Sequence, residues 1–196
     1  MKIVSVWNPK GGQGKSLLSI NLAAAACELD FKPMVVCDDP QGTSTLFYKG
    51  GNLPFEVVSA LPDERPDADI VIIDHSAKDW EVPPAPIVVM PTKPDRSDIA
   101  TFQDAMAMMK PTGKRVIPVV IDGNMHRESQ VRAVMALKRV GAFEFKSSGV
   151  YSRASEEWRS IFDRELNGAY KINERRAEFQ SLLSAVLATQ QQEEAA

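Results

Sequence analysis

The 196-residue sequence predicts a doubly wound α/β domain, with a mostly parallel sheet and helices on both faces. Two observations carry that prediction. Strand-length apolar runs alternate along the chain with helix-length periodic segments. Most of those runs are continuously apolar, the pattern of parallel strands covered on both sides.

The elements follow in order. Residues 2–7 form the first strand, which Asn8-Pro9 breaks, and the first helix spans 15–30. A second strand at 33–37 closes on Asp38-Asp39-Pro40. Turn formers are dense between residues 49 and 66, so the run at 55–59 is expected as an exposed hairpin or an edge strand. The run at 70–74 is apolar until it ends in Asp74. Residues 76–86 hold three prolines and exclude a long helix, so that connection is short and irregular. Strands at 87–90 and 116–121 flank a helix at 97–110, and helices at 127–140, 155–166 and 173–189 follow. No repeat or linker divides the chain, which reads as one domain over 1–189 with a frayed polar tail at 190–196.

Composition narrows the function classes. With 44% hydrophobic residues the chain can bury one good core. No apolar run reaches the roughly 18–20 residues that cross a bilayer, and the apolar start is too short for a signal peptide. Cys27 and Cys37 lack metal-ligand spacing and suit a reducing compartment. A soluble, cytoplasmic protein is expected. The net charge of −3 is uneven: residues 1–125 carry 12 Lys+Arg against 16 Asp+Glu, and residues 126–176 carry 11 against 7. A basic C-terminal third points either to a polyanion or to solvated helical faces.

The strongest motif is Asn8-Pro9-Lys10-Gly11-Gly12-Gln13-Gly14-Lys15-Ser16, set between a strand and a helix. Its glycines let the backbone turn tightly and aim N–H groups at phosphate oxygens. Lys15 brings a positive charge to the β and γ phosphates, the Ser16 hydroxyl can ligate Mg²⁺, and the helix start adds its positive dipole end. The strict pattern G-x-x-x-x-G-K-[ST] fails because Pro9 stands where its first glycine belongs. What remains is K-G-G-x-G-K-S, with a second lysine, Lys10, that crowds its own site unless it serves another.

This loop resembles the deviant Walker A motif of the ParA/MinD superfamily, and the chain is most similar to the short ParA-type plasmid partition ATPases, which lack an N-terminal DNA-reading extension. The resemblance implies a single P-loop NTPase domain that binds ATP or ADP with Mg²⁺ through Lys10, Gly11, Gly12, Gln13, Gly14, Lys15, Ser16 and Leu17. In that family the early lysine, here Lys10, reaches the nucleotide of a partner subunit across a homodimer. Val35-Val36-Cys37-Asp38-Asp39-Pro40-Gln41-Gly42 looks like the D-x-D-P-Q signature. Asp39 matches its second Asp, which positions the attacking water. Cys37 replaces the first, leaving Asp38 as the carboxylate to take over part of that role. Asp69-Ile70-Val71-Ile72-Ile73-Asp74 has the Walker B form, so Ser16 and, through water, Asp74 are the expected Mg²⁺ ligands, with Asp39 as a further one. Lys10, Lys15 and Asp39 are the expected catalytic residues, and His75 is expected only to flank the site. Pro91-Thr92-Lys93-Pro94-Asp95 and Asp122-Gly123-Asn124 match the loops that lie near the nucleotide in relatives.

The same resemblance implies DNA held without sequence preference by C-terminal cations, for which Arg153, Arg159, Arg164, Lys171, Arg175 and Arg176 are the expected set, with nucleoid association in the ATP state. A ParB-like centromere-binding or cargo adaptor protein is the implied partner that stimulates a weak hydrolase. A ParA-like positioner of protein cargo and a metabolic P-loop kinase or ligase are the alternatives. A MinD-like membrane switch needs a basic amphipathic end, which residues 179–189 do not supply. An iron–sulfur relative needs two cysteines beyond the switch regions, and Cys27 and Cys37 lie in the first helix and second strand.

Overall fold

In the computed structural model, which describes residues 1–39 and 42–188, one sheet holds seven strands. They are β1 (Lys2–Val6), β2 (Pro33–Asp38), β3 (Glu56–Val58), β4 (Ile70–His75), β5 (Ile87–Thr92), β6 (Arg115–Ile121) and β7 (Phe143–Phe145), in the order β3-β2-β4-β1-β5-β6-β7. Every pairing is parallel, so "mostly parallel" becomes all parallel among the described residues. Pro40, Gln41 and the tail at 190–196 lie outside the described residues.

Six α-helices cover the sheet: α1 (Lys15–Cys27), α2 (Thr43–Lys49), α3 (Arg96–Met109), α4 (Glu128–Arg139), α5 (Gly149–Glu156) and α6 (Ile172–Leu187). On one face α1 and α6 pack together over Val4, Val6, Val35 and Ile72, with Leu18, Leu22, Phe179 and Leu183 filling the layer. Ala23 to Ala26 of α1 are all buried, small enough to let sheet and helix approach from different sides. On the other face α3 and α4 bury Phe102, Met109, Val134 and Leu137 against Trp7, Val88 and Met90. The chain leaving β1 thus turns to one face and the chain leaving β5 to the other, although the two strands are neighbours. That divergence opens a crevice at their carboxyl ends, where ligands of doubly wound folds sit.

One expectation resolves between its alternatives and two change. The run at 55–59 is an edge strand, but β3 runs parallel to β2 and makes no hairpin with it. The helix expected at 155–166 lies earlier: Ser148 caps α5 by accepting the Val150 N–H, Val150 and Ala154 bury its inner face, and Trp158 adopts a left-handed φ of 53° just after it ends. Only the 3₁₀ turn Arg164–Leu166 remains of the expected second half. The short elements α2 and β7 are additions. The connection at 76–86 carries no helix, as its prolines dictate.

Candidate functional site

The loop between β1 and α1 is strapped from both sides. Trp7 N donates to Val89 O of β5. The Asn8 amide donates to Pro91 O at 2.7 Å, and its oxygen accepts Lys10 N at 2.8 Å. Gly12 and Gly14 hold φ of 73° and 74°, the left-handed region that an L side chain resists, and Gly14 is the N-cap of α1. No side chain caps that helix, so the first N–H groups of α1 remain for an anion. Gln13 is buried and crosslinks the crevice: its Oε1 accepts Lys93 N at 2.8 Å, and its Nε2 donates to Asp98 Oδ1 at 3.2 Å.

The two lysines behave differently. Lys15 is buried within the loop, and Nζ donates to Asn8 O at 3.2 Å and Lys10 O at 3.3 Å. Burial pulls its pKa below the usual lysine range, while Asp74 and Asp39 push it back up. Lys10 sits at the mouth, ion-paired with Asp98 and donating to Ser97 Oγ at 2.9 Å. In the single subunit it therefore has a partner at home, on α3.

Strand register builds the acidic side. Asp74 aligns with Val6 on one neighbour and Cys37 on the other, and is 0% exposed. Its Oδ2 accepts Ser44 Oγ–H at 2.6 Å, a contact from α2 that sequence reasoning missed. Its Oδ1 is buried without a hydrogen-bond partner among the described residues. Burial raises the Asp74 pKa, and hydrogen bonds from Ser44 and Ser16 offset part of the rise. A buried carboxylate with one uncommitted oxygen, beside the Ser16 hydroxyl, fits a hard dication. Asp39 lies just past β2, near enough to act on both Lys15 and Asp74. Asp38 does not take over the missing first Asp. Neighbouring strand residues face opposite sides, and its carboxylate points to His75 Nδ1, 3.6 Å away.

Beside the loop lies a cavity of ≈ 240 Å³ between Gly12, Leu17 and Ile121 on one wall and Phe145, Ser148 and Tyr151 on the other. Lys93 and Asp122 face each other across it at 3.4 Å. An apolar slot with a few polar groups, opening beside a phosphate loop, suits a flat heterocycle. The wall from Phe145 to Ser152 escaped sequence reasoning. Its signal was the alternating Phe143-Glu144-Phe145 triplet running into Ser147-Ser148-Gly149, a strand followed by a helix cap.

Comparison with known proteins agrees with this fold. Solved structures with the same fold include septum site-determining protein MinD of Pyrococcus horikoshii complexed with Mg-ADP, at TM-score 0.70 and 14% identity over 93% of this chain and 95% of that one. The Cyanothece McdA(D38A)–ATP complex is similar at TM-score 0.67 and 14% identity, over 97% and 98%. Residues 1–96 match the family described as an AAA domain. Over 72 residues the chain is 35% identical to chromosome partitioning protein ParA of Myxococcus xanthus, a match covering 36% of this chain and 25% of that protein. The chain has the fold of the MinD and McdA structures. Its phosphate loop carries both lysines, Lys10 and Lys15, and Cys37 stands two residues before Asp39.

The C-terminal cations do not form one free set. Arg175 is 4% exposed and spends its guanidinium on Glu178 at 3.1 Å, Glu174 at 3.3 Å and Lys146 O at 3.2 Å. Arg176 donates to Ile161 O and Asp163 O, tying α6 to the preceding loop. These two are structural ties and leave the expected DNA surface. Arg159 pairs with Asp163 at 2.6 Å, and Arg153 with Glu157 at 3.2 Å. Lys171 is exposed with Glu174 3.7 Å away, and Arg164 is exposed without an ion pair among the described residues. No helix among the described residues is long and apolar enough to cross a membrane.

Proposed function

We propose that this chain is a dimerising ATPase of DNA segregation that holds DNA without sequence preference while ATP is bound. One observation carries the reading. The phosphate loop has one lysine buried inside it and a second at its rim, and the rim lysine is held by a partly exposed ion pair to Asp98 and a hydrogen bond to Ser97. Lys15 suits the triphosphate of its own subunit, and Lys10 suits that of a second one.

In this reading the triphosphate lies along Gly11 to Ser16, displacing the loop carbonyls that Lys15 now binds, and the base enters the cavity toward Tyr151. Ser16 and Asp74 hold Mg²⁺, which when bound neutralises charge on the phosphates. Asp39 orients the attacking water. Two subunits meet face to face, each Lys10 leaving Asp98 for the other's nucleotide, and only the γ-phosphate distinguishes the joined state from the separated one. Exposed cations such as Arg164 and Lys171 meet DNA phosphates in the joined state. A ParB-like or cargo adaptor protein stimulates hydrolysis and releases the subunits. The MinD–Mg-ADP and McdA–ATP structures support the choice of ligand through the shared fold.

Light scattering with ADP and with a non-hydrolysable ATP analogue tests it. The chain is expected to be monomeric with ADP and dimeric with the analogue. Lys15→Ala abolishes nucleotide binding, whereas Lys10→Ala binds nucleotide and stays monomeric. A wild-type chain that remains monomeric when saturated with the analogue and Mg²⁺ overturns the reading. DNA retention in the analogue state should fall steeply as salt rises. A small-molecule kinase or ligase has one observation in its favour, an open cavity beside Asp39 lined by Cys37, Asp38, Gly42, Thr45 and Lys49, where an acceptor could sit. Turnover raised by a metabolite and indifferent to DNA identifies that case.

A further inference from the structure

Adjacent to the crevice, on the opposite side of β4 from Asp74, three potential ligands converge. The register sets Asp38 of β2 against His75 of β4, and Asp79 arrives from the helix-less connection that follows. One ligand atom from each lies within 4.8 Å of the others, the one such grouping among the described residues. Dications with bonds of about 2.0–2.2 Å close a span of that size with small side-chain adjustments.

Two carboxylates near an imidazole are not in themselves a site. His75 makes the difference. It is 4% exposed, yet its Nδ1 has no hydrogen-bond partner among the described residues and lies 3.6 Å from Asp38 Oδ2. The opposite ring nitrogen, Nε2, lies 2.9 Å from Ser5 Oγ on β1. With Nε2–H donating to that hydroxyl, the lone pair of Nδ1 is left on the side of Asp38, with Asp79 completing the group. Metal-bound histidines are fixed in the same way, one nitrogen held by an outer partner and the other on the ion. Asp79 is steadied as well: its Oδ1 accepts Glu81 N at 2.8 Å and its carbonyl accepts the Trp7 indole N–H at 3.1 Å.

We propose that Asp38, His75 and Asp79 form a cation site, distinct from the one at Asp74, for a single divalent transition metal of the zinc class. One nitrogen and two oxygen donors with a remaining open position suit zinc, manganese or iron(II) better than calcium. An ion there ties the proline-rich connection at 76–86 to the end of β2, doing for that stretch what a packed helix does elsewhere in the sheet. The site needs no nucleotide.

Titration of the chelator-stripped, nucleotide-free chain with Co²⁺, read by visible absorption, tests it, with Zn²⁺ added to displace the cobalt. One ion per chain is expected, displaced by Zn²⁺. Asp79→Asn, on a surface segment and harmless to the core, weakens binding by more than about tenfold, as does His75→Gln. Ser5→Ala, which removes only the outer partner, weakens it by about 10–100-fold. Asp74→Asn leaves the cobalt affinity within about twofold. Absence of a bound ion overturns the proposal. So does an affinity indifferent to Asp79→Asn and His75→Gln, or one lost with Asp74→Asn and kept without His75, which places the ion at the nucleotide site. Nucleotide binding by the same variants is a separate measurement, so either reading can fail alone.

Discussion

Lys10 and Asp98 form an ion pair that holds the mouth of the phosphate loop against the first turn of α3. If Lys10 serves a second subunit, that pair must break on both sides of the dimer. Partly exposed pairs are worth about 0.2–1 kcal/mol each. Asp98→Asn, which keeps an acceptor for Gln13 but removes the charge, should therefore strengthen analogue-dependent dimerisation by about two- to thirtyfold. Sedimentation velocity across a concentration series measures it. An unchanged or weakened association means that Lys10 does not leave Asp98.

Gly14 combines a left-handed φ with close contact. A Cβ there meets Ile121 Cδ1 at 2.5 Å, on the wall of the cavity beside the loop. Gly14→Ala should cost about 1–2 kcal/mol from backbone conformation alone, and the displaced Ile121 should narrow the base slot. Denaturant unfolding and binding of a fluorescent ATP analogue report the two effects. Native stability with native binding contradicts the geometry.

Asp74 is buried with one oxygen unclaimed, and its folded pKa lies above its unfolded value. The sign follows directly. Its contribution to stability is greatest below the unfolded pKa, falls as pH rises between the two values, and stays at its low level above the folded one. Asp74→Asn should therefore stabilise the nucleotide-free chain by about 0.5–2 kcal/mol at neutral pH and lose that advantage on acidification. Thermal unfolding at pH 7 and pH 4 without Mg²⁺ checks it. A gain that grows toward acid has the wrong sign.

Arg175 joins α6 to the turn after β7 through Lys146 O, while Glu178, one helical turn along α6, pairs with its buried guanidinium. Removing one partner of a buried pair costs about 3–5 kcal/mol, so Arg175→Ala should unfold at much lower denaturant. Arg164→Ala, on an exposed turn, should stay within about 0.5 kcal/mol of wild type. Any loss of DNA retention by Arg175→Ala then reflects unfolding, while a loss by Arg164→Ala reports a contact.

The parts legible in the sequence are those whose cause is local. The phosphate loop is nine consecutive residues set between an apolar strand and a helix, and the strand ending in Asp74 is a continuous apolar run. Three-residue strands such as β7 and a helix as short as α2 carry too few positions for a period to emerge, so Ser44 and the Phe145–Ser152 wall stayed hidden. Arg175 looked like surface charge because its partner Lys146 comes from another element. The meeting of Asp38 with His75 depends on β2 and β4 lying side by side, which strand order decides and no nearby residue announces. Lys10 was read as idle within its own subunit, because its partner Asp98 sits far along the chain on α3.

β1 has no neighbour from its own vicinity: the strands on its two sides begin at Ile70 and Ile87, and β2, the next one made, attaches to β4 instead. During synthesis the apolar stretch from Ile3 to Trp7 must wait for about sixty further residues, which at about 5–20 residues per second is on the order of 3–12 s. The phosphate loop, though encoded before both, can acquire its shape only after β4 and β5 have left the ribosome, so a stalled or truncated nascent chain exposes a naked hydrophobic strand to chaperones.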